Sequence, residues 1–244
     1  MTVIATIEAR MTSTRLPGKV MAYCRGTTML ERLVIRLKSV SNIDEVIIAT
    51  TTNMEDDLIV ELASNLGVRF FRGSEDNVFD RVIQTAIFAN ADTIVEITGD
   101  CPLLDPVLVE QMVEIFRINS IDYISNCEFP SYPAGMEIQV VSLQALMKSY
   151  QMTNSTLDRE HVTLHIRNHP EVFRQMYLIA PIGLRFPELS VTLDEPADLE
   201  VISAVIENLE ASNQLFGCQE IVQFLNQNQN IAKLNANVPR KGDS

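Results

Sequence analysis

The sequence lacks the features that would assign its 244 residues to a membrane, secreted or disordered class. No uncharged apolar run approaches the roughly 20 residues that a membrane-spanning helix needs. The apolar start is interrupted by Glu8 and Arg10, so we expect no secretory signal peptide. The four cysteines include no Cys-x-x-Cys pair, which is typical of reduced thiols. With 46% hydrophobic and 21% charged residues, we expect a globular cytoplasmic protein without membrane contact.

Basic residues are also scarce, and their distribution is uneven. Nineteen Lys and Arg against 32 Asp and Glu give a net charge of −13, which argues against nucleic-acid binding. Residues 1–40 nevertheless hold seven basic and two acidic residues, so this segment is locally positive. Such a segment on an acidic body indicates one focused anion site. We expect Arg32, Arg36 and Lys38 to be solvated on one helix, which leaves Arg10, Arg15 and Lys19 as the anion-binding candidates.

Apolar runs typical of buried strands alternate with helical apolar spacing from the start of the chain. Strands are predicted near 3–7, 46–49, 68–71 and 93–97, and helices near 29–37, 56–66, 78–87 and 106–118. Continuous apolar strands separated by single helices favour a parallel sheet covered on both faces. The predicted class is therefore α/β, with a mostly parallel central sheet.

The second half of the chain is less regular. It predicts two strands within 123–142 around a proline-rich turn, a helix over 157–168, strands at 173–179 and 191–193, and helices at 196–209 and 218–227. We interpret 1–225 as one domain, in which 123–180 is a small inserted or appended lobe for the acceptor or a dimer partner. The Asn/Gln-rich segment 226–244 is predicted to be a polar, mobile tail.

The loop after the first strand carries the strongest chemical signal. It reads Arg-Met-Thr-Ser-Thr-Arg-Leu-Pro-Gly-Lys from Arg10 to Lys19. Small hydroxylic residues and a Pro-Gly turn expose backbone N–H groups that can hold phosphates, and two arginines and a lysine add positive charge. The loop matches neither G-x-x-x-x-G-K-[ST] nor G-x-G-x-x-G, so neither a P-loop nor a dinucleotide site is supported.

Two carboxylates follow predicted strands farther along the chain. Asp100 lies in Thr-Gly-Asp-Cys-Pro-Leu, and Asp194 lies in Thr-Leu-Asp-Glu-Pro. Because ligands of an open parallel sheet bind outside the carboxyl ends of its strands, these acids could meet at one edge and hold Mg²⁺. Either one alone could equally be a turn or capping residue, and Asp194 could cap a helix that begins at Pro196.

The three histidines, His161, His165 and His169, are spaced to share one face of a continuous helix. The sequence is not H-E-x-x-H, and no nearby cysteine completes a zinc site, so zinc is disfavoured. A substrate or subunit contact is the better interpretation for His161. Cys101 has no local base and is expected to pack in the core.

These motifs together resemble the sugar-acid cytidylyltransferases, which include the acylneuraminate and 3-deoxy-manno-octulosonate enzymes. The first loop carries the resemblance, and the segments 47–57, 72–81, 99–106, 159–163 and 192–199 support it. Within the family, the spore coat polysaccharide biosynthesis protein F group is the most similar branch. The resemblance implies a nucleotide-diphospho-sugar transferase type of fold, a homodimer, and transfer of CMP from CTP to a sugar acid with release of pyrophosphate.

The resemblance also implies roles for individual residues. Contacts to the triphosphate would come from Arg10 and Lys19, with Ala9, Ser13 and Arg15 in the same loop. The cytosine pocket would be bordered by Ala49, Thr50, Arg72, Ser74 and Asn77, and Mg²⁺ would be held by Asp100 and Asp194. We expect Arg159 and His161 to contact the acceptor. Thr12 stands where the family commonly has glycine, which would constrain the loop if that position needs a positive φ.

Three other functions remain open at this stage. A glycosyltransferase with a nucleotide-sugar donor commonly holds its metal with Asp-x-Asp, which does not occur in this chain. A nucleotidyltransferase acting on a sugar phosphate with another base is the second alternative. The third is a non-catalytic nucleotide-binding partner in polysaccharide assembly.

Overall fold

A computed structural model of the protein describes residues 1–240. The strands are β1 (Val3–Glu8), β2 (Tyr23–Cys24), β3 (Thr27–Thr28), β4 (Glu45–Thr51), β5 (Arg69–Gly73), β6 (Thr93–Thr98), β7 (Tyr123–Ser125), β8 (Gln139–Ser142) and β9 (Gln175–Tyr177). The helices are α1 (Met29–Lys38), α2 (Asp57–Asn65), α3 (Val78–Phe88), α4 (Pro106–Ile118), α5 (Leu143–Met152), α6 (Thr156–Glu160), α7 (Leu164–Asn168), α8 (Pro196–Leu209), α9 (Cys218–Gln227) and α10 (Gln229–Ala232). Short 3₁₀ turns lie at 19–21, 54–56 and 182–184.

Seven strands form one sheet in the order β5-β4-β1-β6-β8-β7-β9. The pairs β5–β4, β4–β1, β1–β6 and β7–β9 are parallel, and β8 runs antiparallel to β6 and β7. The prediction of a mostly parallel central sheet is confirmed. The three strands from the region 123–180 extend this same sheet, so that region contributes to the main fold.

Local sequence explains where the central elements begin. Asp105 caps α4, and its side chain accepts a hydrogen bond of 2.8 Å from the Val107 amide while Pro106 occupies the first helical position. Thr28 caps α1 by accepting from the Glu31 amide at 3.1 Å. Alternating strand residues fill two cores: Ala5 and Ile7 face one, and Ile4 faces the other with α3 and α5.

The prediction of three solvated cations on α1 is wrong for two of them. Arg32 and Arg36 are buried, with 4% and 1% of their surfaces exposed. Arg36 donates to the Leu104 carbonyl at 2.8 Å and lies over the Phe216 ring, and burial lowers its pKa to about 10. The last turn of α1 packs against α4 and the segment before α9, so these guanidinium groups are buried in the core and are not solvated.

Three predicted elements differ from the structure. The helix expected over 157–168 is broken into α6 and α7, and the segment 191–193 makes no strand beyond a single bridge from Ser190 to Ala134. The mobile tail expected from 226 differs as far as residue 240, because α10 forms and Asn235, 3% exposed, donates to Asp198 of α8 and to the Ser190 carbonyl. Residues 241–244 of that predicted tail lie outside the described residues. Within residues 1–240, no helix is long and apolar enough to cross a membrane.

Candidate active site

A cavity of about 300 Å³ lies at the carboxyl ends of β1 and β6, on the sheet face covered by α3, α6 and α7. Of the residues predicted for the site, eight line this cavity: Ala9, Arg10, Ser13, Arg15, Lys19, Asp100, His161 and Asp194. The first loop, the end of β6 and the start of α8 therefore converge, as expected of strand-end loops in a parallel sheet.

The first loop is held by its own turn. Gly18 has φ +70°, a left-handed conformation that favours glycine, and its amide donates to the Met11 carbonyl at 2.9 Å. The Met11 amide donates in turn to the Asp56 carboxylate at 2.7 Å. These contacts close the loop and direct Lys19 inward.

The centre of the cavity is an ion cluster around Lys19. Its Nζ lies 2.9 Å from Asp100 Oδ2 and 3.0 Å from Asp194 Oδ1. Arg15 Nη2 also contacts Asp194, at 2.7 Å. Burial raises the pKa of Asp100, but the Lys19 ammonium together with hydrogen bonds from Thr98 and the backbone holds that pKa below its ordinary value. Asp100 is therefore charged at neutral pH.

Two backbone contacts place the aspartates side by side. The Leu193 amide donates to the Asp100 carbonyl at 2.8 Å, which joins the two strand-end loops. A Cβ at Gly99 would lie 2.9 Å from the Glu8 carbonyl, so only glycine allows this close approach to β1. Asp194 does not cap α8. That position belongs to Glu195, which leaves the Asp194 side chain to the cavity.

The two carboxylates fit a divalent cation because they already enclose a positive charge. The Lys19 ammonium occupies the space that a cation between Asp100 and Asp194 would share. Across residues 1–240 no cluster of three or more potential metal ligands occurs. A pair of carboxylates suits Mg²⁺, which is commonly held by one or two carboxylates together with substrate phosphates.

Behind Asp194, a buried network links α8 to the end of the described chain. Asp198 accepts hydrogen bonds of 2.9 Å from both the Asp194 and Glu195 amides. Arg240 binds both Asp198 oxygens, at 3.0 and 2.7 Å, and Asn235 donates to one of them at 2.7 Å. Burial raises the pKa of Asp198, but these donors, Arg240 first, lower it below its ordinary value of 3.8.

We expect Arg240→Ala to lower the free energy of unfolding by about 2 kcal/mol at pH 7, because the buried Asp198 carboxylate loses a charged donor. A carboxyl group whose pKa is lower in the folded protein than in the unfolded chain stabilises the fold at a pH above its unfolded pKa. This stabilisation is lost as the pH falls through the folded pKa. The difference in the free energy of unfolding between variant and wild type should therefore narrow below about pH 4. Urea denaturation at pH 7 and at pH 3.5 measures the loss of stability and its narrowing.

The matched control is Arg174→Ala, which removes an exposed pair with Asp122 and should leave unfolding unchanged. Equal effects of the two substitutions at pH 7 would show that the Arg240 contact does not stabilise the fold.

Thr12 fits the loop without strain. Left-handed φ values among the described non-glycine residues occur only at Arg25 and Asn90, so Thr12 does not need glycine's freedom. Its hydroxyl donates to Glu75 Oε1, the same atom that Arg10 Nη1 contacts at 3.0 Å. Thr12 therefore helps to fix the partner of Arg10.

Six predicted binding residues do not line this cavity. Ala49 and Thr50 are fully buried in β4. Arg72 is engaged by the Thr51 and Asn53 carbonyls at 2.7 and 2.6 Å and by Asp57 at 2.6 Å. The burial of Ala49 and Thr50 and the contacts of Arg72 therefore support the structure of β4 and β5.

The other three are engaged around Tyr150. Asn77 caps α3 and donates to the Tyr150 hydroxyl at 3.0 Å, and Ser74 accepts from the Asn77 amide at 3.1 Å. Arg159 lies 3.5 Å over the Tyr150 ring and donates to the Thr153 carbonyl at 2.8 Å. Asn77 and Arg159 therefore connect α3 and α6 to α5, and Ser74 supports Asn77.

The break between α6 and α7 separates the histidines. His161 ends α6 and lines the cavity, whereas His165 and His169 stack on each other with ring centroids 4.2 Å apart. His165 also lies 3.5 Å from Asp158. The three rings therefore do not form one row. Cys101 is buried, and burial raises its thiol pKa well above the ordinary value, consistent with a packing role.

The sequence interpretation missed several polar residues that line the same cavity: Glu8, Arg81, Glu96 and Gln139. Two of them had a visible signal. Glu8 and Glu96 are carboxylates within the otherwise apolar strands β1 and β6, which is costly in a buried strand unless the charge has a use.

Comparison with known proteins decides the family. The family model described as "Cytidylyltransferase" matches residues 4–231. The chain belongs to the cytidylyltransferase family. The spore coat polysaccharide biosynthesis protein SpsF of Bacillus subtilis is 32% identical over 240 residues, which cover 94% of this chain and 96% of SpsF.

Two further cytidylyltransferases resemble the chain to different extents. The solved structure of a cytidylyltransferase from Leptospira borgpetersenii is 30% identical, covers 95% of this chain and 97% of its own, and superposes with a TM-score of 0.90. The 3-deoxy-manno-octulosonate cytidylyltransferase of Solibacter usitatus is 36% identical over 113 residues, which are 46% of this chain and 43% of that enzyme.

Proposed function

We propose that this cytidylyltransferase transfers CMP from CTP to a sugar acid and releases pyrophosphate. The observation that carries the proposal is the Lys19 ammonium between Asp100 and Asp194, beside the loop that holds Arg10 and Arg15. A cation-rich loop next to paired carboxylates suits a polyphosphate together with Mg²⁺. The named activity of the Solibacter relative supports a 3-deoxy-2-ulosonic acid as acceptor. The SpsF relative supports a role in polysaccharide biosynthesis.

In this reaction a sugar hydroxyl attacks the α-phosphorus of CTP. The new bond joins the sugar oxygen to the α-phosphorus. The bond between the α-phosphorus and the oxygen that bridges it to the β-phosphorus breaks, and the attacking hydroxyl loses its proton. Such a transfer needs mainly positioning and neutralisation of charge. Arg10, Arg15, Lys19 and the loop amides would bind the β- and γ-phosphates and stabilise the pyrophosphate as it leaves. Asp100 and Asp194 would hold Mg²⁺, which supplies neutralising charge at the phosphates when bound.

The proposed base preference is tested by thermal unfolding with Mg²⁺ and each nucleotide in turn. A ligand at about 100 times its dissociation constant adds roughly 2.7 kcal/mol to stability, which raises the melting temperature by several degrees. We expect CTP to stabilise the protein more than UTP, ATP or GTP, because the family is named for the transfer of a cytidylyl group. Stabilisation by a nucleotide sugar and not by CTP would favour glycosyl transfer instead.

A further inference from the structure

The end of the cavity around Glu8, Glu96 and Gln139 holds a pair of carboxylates. Glu8 ends β1 and Glu96 lies on β6, where the parallel register pairs Glu8 with Thr98 and Thr6 with Glu96. The two acids therefore lie on adjacent strands and on the same face of the sheet. Thr6 donates to Glu8 Oε1 at 2.9 Å, and Gln139 Nε2 donates to Glu96 Oε2.

Gln139, which contacts Glu96, is itself held in place by two further residues. Gln139 Oε1 accepts hydrogen bonds from Tyr123 at 2.6 Å and from Thr163. These contacts leave the Gln139 amide group with only one orientation in which it can donate to Glu96. The wall formed by β8 and the start of α7 is thus rigid around the pair.

Two guanidinium groups at this end each keep one atom without a partner. Among the residues that the structure describes, the buried Nε atoms of Arg81 and Arg167 find no acceptor. Arg81 is only 2% exposed, yet its side chain lines the cavity. Unsatisfied buried polar atoms are costly to a fold, so their grouping at one cavity wall indicates a ligand that completes them.

The charges at this end indicate what that ligand carries. Burial and the neighbouring carboxylate raise the pKa of Glu8 well above its ordinary value, and burial also raises the pKa of Glu96. A raised pKa favours a proton held between the two carboxyl groups. A carboxylic acid beside a carboxylate can both donate to and accept from hydroxyls, so the pair suits a ligand that carries hydroxyl groups.

We propose that Glu8 and Glu96 form a paired hydrogen-bonding site for adjacent hydroxyl groups on the polyhydroxylated tail of the acceptor. This inference rests on the proposed function, which identifies the acceptor as a sugar acid. Lys19 pairs with Asp100 and Asp194, whereas Glu96 contacts Gln139, which in turn contacts Thr163. Because the phosphates are assigned to the residues around Lys19, the acceptor tail takes the part of the cavity lined by Gln139, Thr163 and Arg167.

The test uses Glu8→Gln and Glu96→Gln, which keep the shape of each side chain and remove its charge. The acceptor is 3-deoxy-D-manno-octulosonate or N-acetylneuraminate, whichever the wild type turns over faster. We expect each variant to raise the KM for that acceptor about tenfold or more, to change kcat less, and to leave the calorimetric Kd for CTP within twofold. Melting temperatures should stay level or rise, because glutamine keeps the side-chain shape and removes a carboxylate that is costly to bury. Glu114→Gln, on the exposed face of α4, is the matched control and should change none of these values.

Two results would overturn the inference. Weaker CTP binding with an unchanged acceptor KM would assign this end of the cavity to the base. Unchanged values for both would make the pair purely structural.

A failure of the proposed function can be distinguished from a failure of this inference. If the wild type releases no pyrophosphate from CTP with either acid, calorimetry with 3-deoxy-D-manno-octulosonate alone still tests the pair. Binding that is lost in both glutamine variants supports the inference, with pyruvate, which has no hydroxyl tail, as the negative probe. Absence of octulosonate binding to the wild type contradicts it.

Discussion

Replacing Asp100 by asparagine is expected to lower cytidylyl transfer by about 10²-fold or more while the protein remains folded. The Asp100 carboxylate lies 2.9 Å from Lys19, across from Asp194, and these two carboxylates are the ones that we propose hold Mg²⁺. Asparagine preserves the side-chain shape but removes the charge on which that position depends. Steady-state pyrophosphate release at saturating CTP and acceptor measures the loss.

Asp122→Asn is the matched control, since this carboxylate pairs with Arg174 on another part of the surface. Its turnover should equal that of the wild type. Circular dichroism and melting temperature should show Asp100→Asn to be folded. Turnover by Asp100→Asn at the wild-type rate would remove Asp100 from the reaction and with it the proposed Mg²⁺ site.

Lys19→Ala is expected to weaken apparent CTP binding by about 1.5–3 kcal/mol, or roughly 10–150-fold, the usual size of a charged hydrogen bond. Burial lowers the pKa of Lys19, but Asp100 and Asp194 more than compensate, so the ammonium stays charged. It is then positioned to contact a phosphate that enters the cavity. Calorimetric titration of CTP in the presence of Mg²⁺ measures this effect.

The loss of Lys19 has a second expected effect without nucleotide. The Asp100 and Asp194 carboxylates lose the cation between them, so Mg²⁺ alone should raise the melting temperature of Lys19→Ala more than that of the wild type. Lys38→Ala, which removes an exposed lysine at the end of α1, is the control for both measurements. An unchanged CTP affinity in Lys19→Ala would exclude this residue from the phosphate site.

The parts of the fold that the sequence predicted are those dictated by local pattern. Continuous apolar runs defined β1, β4 and β6, and the pair Asp105-Pro106 defined the start of α4 within one residue. The convergence of the first loop with Asp100 followed from the parallel topology alone. These predictions needed no knowledge of tertiary contacts. Asp194 joins the first loop and Asp100 although the strand predicted before it does not form, because the Leu193 amide bonds to the Asp100 carbonyl.

The misses depended on tertiary contacts that periodicity does not report. Arg36 is charged on an amphipathic helix, yet the carbonyl groups of Leu104, before α4, and Phe216, before α9, accept its hydrogen bonds and make its burial tolerable. The polar tail packs because Asp198 is buried and needs the donors of Asn235 and Arg240. Glu8 was read as the end of an apolar run, although its partner Glu96 is 88 positions away in sequence and adjacent in the sheet.

The most direct test of cytidylyl transfer follows the α-phosphate. The wild-type protein is incubated with Mg²⁺, CTP labelled with ³²P at the α-position, and 3-deoxy-D-manno-octulosonate or N-acetylneuraminate. The proposed function predicts label in a new CMP–sugar product, unlabelled pyrophosphate in equal amount, and no transfer when UTP replaces CTP. Label that stays in CTP with both acids, or appears only as free CMP, would contradict it.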